Sequence, residues 1–101
     1  MQPAQPVAQT AHESDRKMDH AIRAARAFDR ACQLTGLSSA ALCRQLAPMI
    51  GKPNALSRQT LLGWRRGKQP VPMAAFLAAC DLAGLRPPLI FALAAEEPAP
   101  S

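Results

Sequence analysis

The stretch SRQTLLGWRRG, residues 57 to 67, carries the densest recognition chemistry in the chain. An arginine guanidinium can pair bidentately with the edge of guanine, and a glutamine amide with the edge of adenine, in the major groove of DNA. Ser57 is placed to cap a short helix, and Thr60 lies in its first turn. Arg58 and Gln59 would then take the first two helical positions, where unpaired N–H groups and the helix dipole favour an anion. Leu62, one turn on, faces the same way and suits a thymine methyl. Arg65, Arg66 and Lys68 crowd the end of the helix and its exit. The dipole alone accounts for one or two cations there, and three with no acid nearby in sequence fit phosphate contacts better. Gly63 costs the helix about 1 kcal/mol relative to alanine. Two readings of it stand: the bare backbone approaches DNA, or it packs closely against another helix. Trp64 is expected in the core, anchoring the helix from beneath.

Charge distribution points the same way. Lys and Arg number 12 against seven Asp and Glu, a net charge of +5, and no acid occurs between Asp29 and Asp81. That interval holds Arg44, Lys52, Arg58, Arg65, Arg66 and Lys68. Solvated helix faces ordinarily mix signs, so a single-sign stretch costs repulsion unless a polyanion offsets it. Double-stranded DNA is the expected partner.

Other chemistries lack their residues. There are no paired carboxylates, no nucleophile with a matching histidine, and no Gly-rich phosphate loop, so an enzyme is not expected. Cys32, Cys43 and Cys80 are odd in number and widely spaced, and His12 and His20 are the only histidines. No metal-ligand spacing results, and neither a metal nor another cofactor is expected. The cysteines read as small core residues in a reducing cytoplasm. No secretory leader opens the sequence, and the longest apolar run, LIFALAA, falls well short of a bilayer. The expectation is a soluble cytoplasmic protein with no membrane partner.

The elements that must position these groups read as all-α, a compact bundle of five short helices. Val, Ile and Thr are scarce, Tyr is absent and Ala is abundant, so strand propensity is poor. With 101 residues the chain suffices for one small domain, expected over 16–95, between disordered tails at 1–15 and 96–101. The first helix is expected from Arg16 to Leu34, with Ala21, Ala25, Phe28 and Cys32 inward and Arg23, Arg26, Asp29 and Arg30 in solvent. Ser38 should cap the second, which buries Leu42, Cys43 and Leu46 and kinks or restarts at Pro48. The third runs from Ser57 to Gly67, with Leu61 and Trp64 inward. Pro72 opens the fourth, whose core stripe is Met73, Phe76, Leu77 and Cys80, ending at Gly84. Pro87 and Pro88 open the fifth.

The succession GLSSAALCRQLA, SRQTLLGWRRGKQPVP and FLAACDLAGL resembles the lambda-repressor-like, Cro/XRE class of helix-turn-helix DNA-binding domains, over roughly residues 18 to 95. Its sharpest part is Thr60, Leu61, Trp64 and Gly67 followed by Pro70 and Pro72, which also looks like the Cro-like antitoxins. The resemblance implies a transcriptional regulator, more often a repressor, that reads the major groove with the helix at about 57–67. It also implies that Ser38 and Ser39, and with them Arg44, sit against the DNA backbone. Simple capping by Ser38 is compatible with that role. The sequence departs from the pattern in having about eight extra residues between the second and third helices. It also has Arg65 where many relatives carry glutamate, and Leu62 and Gly63 where polar contacts are usual.

One helix in one groove reads few base pairs, so a homodimer is expected. Leu89, Ile90, Phe91 and Leu93 point in several directions round the fifth helix and offer the seam. The alternative is that the first helix covers them. The rival function is a protein-interaction module, or an antitoxin whose C-terminal helix holds a protein partner.

Overall fold

The computed structural model describes residues 4–52, 54 and 56–95, with side chains from residue 19 onward. Among the described residues the chain is all-helical, with no strand: α1 (Ala4–Thr35), α2 (Ser39–Met49), α3 (Arg58–Arg65), α4 (Met73–Ala83) and α5 (Pro87–Ala95). The long first helix is the central element, and α3, α4 and α5 all pack on it. Helix α2 closes the other side by packing on α3 and α4. No single described helix is long and apolar enough to cross a membrane; α4 and α5 together reach that length but bend by 87° at their junction.

Helix α1 starts at Ala4, twelve residues before the expected Arg16. The segment expected as a disordered tail, 1–15, therefore enters the helix from its fourth residue. Its Ala and Gln content gives good intrinsic helix propensity, a local term that the absence of an apolar stripe does not remove. The other expected tail, 96–101, lies outside the described residues. Further along α1, Phe28, Cys32, Ala27 and Ala31 are fully buried, and Ala25 nearly so, whereas Ala21 is exposed.

Local signals set the other boundaries. The Ser38 side chain accepts the N–H of Ala41 at 3.2 Å and starts α2. Leu42, Cys43 and Leu46 are buried as their spacing implies. Pro48 does not break α2, which continues to Met49 before Ile50 caps it. At the next-to-last position a proline forfeits only one hydrogen bond, and the helix ends there anyway.

Helix α4 shows a different inner face from the expected one. Phe76 and Cys80 are buried, but Met73 is 70% and Leu77 49% exposed, and Ala75, Ala78 and Ala79 take the inner positions. The one charged residue of α4, Asp81, is exposed four residues after Leu77 and eight after Met73, so all three share the outer face. The small methyl groups of Ala75, Ala78 and Ala79 fill the inner side, and α4 packs on α1, which buries Ala27 and Ala31. The large flexible side chains are then left outside. Pro72 is the N-cap of α4, one residue ahead of its first turn.

Trp64 joins the centre of this core. Its indole is 6% exposed and meets Phe28 edge-on, with ring centroids 6.0 Å apart and planes at 83°. Such pairs add about 0.5–1.5 kcal/mol to the burial itself. Trp64→Ala should cost about 3 to 5 kcal/mol, a large share of the stability of a domain this size. Urea unfolding checks this, and an unchanged midpoint would show that the indole does not anchor α3.

Candidate nucleic-acid interface

Helix α3 is fixed at both ends by its own sequence. The Ser57 hydroxyl accepts the N–H of Thr60 at 3.1 Å and donates to the Thr60 hydroxyl at 2.8 Å. Both hydroxyls are thereby engaged in the cap, and Thr60 is half-buried. At the other end Gly67 has φ +76°, a left-handed conformation that side chains resist. The N–H of Gly67 reaches the Trp64 carbonyl at 3.3 Å and the N–H of Lys68 the Gly63 carbonyl at 2.9 Å. This paired arrangement satisfies carbonyls that a helix end leaves open. A Cβ on Gly67 would also lie 3.4 Å from the Ala25 methyl, so the turn is pressed against α1.

With its ends fixed, α3 divides into two faces. Leu61 and Trp64 are buried beneath it. Arg58 and Gln59 at its start, and Arg66 and Lys68 at its exit, are exposed, while Leu62 is half-buried. Gln59, Leu62, Gly63, Arg66 and Lys68, together with Gln69, line one open cleft of about 300 Å³. No acid lines it.

Arg65 departs from its expected role. Its Nε donates to a carboxylate oxygen of Asp29 on α1, in an ion pair whose side chains are 19% and 32% exposed. The other carboxylate oxygen of Asp29 accepts from Gln33 at 2.9 Å, and Gln33 in turn accepts from Arg30 at 3.0 Å. The acid-free interval thus receives its missing acid from a residue 36 positions away, so Arg65 holds α3 to α1 instead of pointing at a phosphate. Asp29, expected in solvent, is half-buried for the same reason.

Gly63 is buried, and its cover is the Gln69 side chain, not another helix. A Cβ built there lies 3.5 Å from Gln69 Cδ and 3.6 Å from its Oε1, ordinary contact distances. Beyond the glycine stop the sequence marks only the cation Lys68 for DNA, on its charge, and gives no such sign for the neutral Gln69.

The groups on α2 are less concentrated. Ser38 and Arg44 are exposed and Ser39 is half-buried. Burial raises the Cys43 thiol pKa, and the positive charge of Arg58 opposes that rise, so the Arg58 charge is felt at α2. Eight residues, 50–57, separate α2 from α3, a true loop and not a tight turn. Burial pushes the Cys32 thiol up to about 12 and raises that of Cys80 as well. All three cysteines are free and buried. Among the described residues, no group of three or more His, Cys, Asp or Glu is placed to hold a metal ion.

The expected seam on α5 is only partly at the surface. Ile90 is fully buried and belongs to the protein's own core, a correction that follows from α5 lying against α1. Leu89 and Phe91 are 46% and 38% exposed, and Leu93 is half-buried. Phe91 also touches Phe76 of α4, with ring centroids 5.3 Å apart.

Neighbouring arginines of α3 should therefore behave differently. Arg65→Ala should lower stability by about 1 to 2 kcal/mol, between exposed and buried ion pairs, because it leaves Asp29 half-buried without its cation. Arg66→Ala should leave stability within about 0.5 kcal/mol of the parent. Paired thermal melts check the contrast, and equal melting temperatures for the two variants would refute it. No family model, no curated protein and no solved structure matches this chain.

Proposed function

We propose that this chain is a sequence-specific regulator of transcription that binds double-stranded DNA through α3, in the manner of a helix-turn-helix domain with a lengthened turn. In its simplest form it represses, since occupying a site suffices to block it. One observation carries the reading: Gln59, Leu62, Arg66, Lys68 and Gln69 share an open cleft with two amides, two cations and no acid. Amides and apolar groups can read base edges, while cations at the rim hold phosphates. Arg58, at the start of α3, and Arg44, on α2, are further exposed cations.

Salt dependence is the first test. Arg44, Arg58, Arg66 and Lys68 are the exposed cations of α2, of α3 and of its exit, with Arg65 engaged by Asp29. At −0.9 per phosphate, the slope of log affinity against log salt should be about −3.5 per protomer. Fluorescence anisotropy with a labelled duplex at several salt concentrations measures it, and a slope near zero would overturn the reading.

DNA reading by so small a helix also calls for two copies, whose α3 helices a two-fold axis would set about 34 Å apart. We place the seam at Leu89, Phe91 and Leu93, without Ile90. The parent protein should sediment as a dimer and Leu89→Glu as a folded monomer. A parent protein that sediments as a monomer at every concentration would remove the seam.

A further inference from the structure

The residue covering Gly63 has chemistry of its own. Gln69 follows the glycine stop of α3, and its backbone N–H, like that of Lys68, donates to the Gly63 carbonyl, at 3.2 Å and 2.9 Å respectively. Two backbone bonds to one carbonyl hold the exiting chain against the last turn of the helix. The side chain then lies across Gly63, with Cγ, Cδ and Oε1 all within 3.7 Å of where a Cβ would be. Residue 63 has no side chain to occupy that place, so Gln69 fills it with its Cγ and the carbonyl side of its amide. Gln69 nevertheless remains exposed as a residue, and its amide makes no hydrogen bond to the described residues. It lines the same cleft as Gln59.

An exposed glutamine ordinarily samples several rotamers, and ordering it on binding carries an entropic cost. Here the backbone is fixed and Cγ and the amide carbonyl rest on Gly63, so part of that freedom is already gone before any ligand arrives. A free amide held in place on a basic face can recognise a planar donor–acceptor edge. The adenine N6/N7 edge in the major groove is the nucleic-acid group that presents one to glutamine. We infer that Gln69 is a second base-reading residue, acting beside Gln59, and that Gly63 seats it. The reading surface is accordingly α3 together with the chain that folds back over it, not the helix alone. This inference rests on the DNA reading above.

The test compares the parent protein with Gln59→Ala, Gln69→Ala and Gln69→Met on a pool of randomised DNA duplexes, followed by titration of the preferred duplex and an unrelated one. Thermal melts establish that each variant is folded. Methionine keeps the stem over Gly63 but removes the amide. Both Gln69 variants should bind the preferred duplex about 5- to 100-fold more weakly, the loss for one bidentate base contact. They should bind the unrelated duplex as the parent does, and lose preference at a base pair other than the one lost by Gln59→Ala. If Gln69→Met restores parental binding, Gln69 serves only to pack, and the inference fails. If both Gln69 variants keep every base preference while the parent remains selective, the inference fails and the DNA reading stands. A parent protein that binds no duplex would overturn both.

Discussion

The edge-on contact between Trp64 and Phe28 fixes where α3 sits, and most of the site depends on it. The rest of the core is largely alanine, leucine and cysteine. One large aromatic pair therefore sets the distance between α3 and α1. The next residue on each helix supplies a second tie, since Arg65 and Asp29 follow Trp64 and Phe28 directly. A third contact, Gly67 against Ala25, lies three residues further along α3 and three back along α1. Helix α3 and the turn after it are thus tied to about one turn of α1 by an apolar contact, an ionic contact and a close backbone approach.

That register sorts the charges. Arg65 and Arg66 are consecutive, yet successive helical residues differ by about 100° in direction, so one turns to α1 and the other to solvent. The same rotation puts Leu61 and Trp64 beneath the helix and Gln59, Leu62 and Arg66 above it. A helix of eight residues has only two turns to divide in this way, and the exiting chain enlarges its outer face by returning over Gly63.

Much of this was legible where the cause is local. Ser38 and Ser57 as caps, Gly67 and Gly84 as stops, and Leu42, Leu46, Leu61 and Trp64 as core follow from residue type and spacing within a few positions. What escaped depends on tertiary neighbours. Nothing near Arg65 in sequence announces Asp29. Nothing in the uniformly apolar α5 says that Ile90 faces in, whereas on α4 the outward face of Met73 and Leu77 was marked locally by Asp81, four residues after Leu77. The start of α1 was misplaced for the opposite reason, because burial was weighed there and local propensity was not. Of the candidate site, the positions on α3 were readable from the sequence, and the partner of Arg65 and the presence of Gln69 were not.

The alanines between helices bear on how such a chain can change over generations. Ala27 and Ala31 on α1 and Ala75 and Ala79 on α4 are completely enclosed, so the spacing of the scaffold is set by methyl groups. Any larger residue there must force the helices apart, at a typical cost of about 1–3 kcal/mol. Mutational drift in the scaffold is accordingly confined to narrow steps of volume. The cleft over α3 is under less restriction, because Gln59, Arg66 and Lys68 are exposed and can be exchanged without disturbing what lies beneath. A lineage built on this frame can therefore vary the chemistry of that cleft far faster than the way it folds.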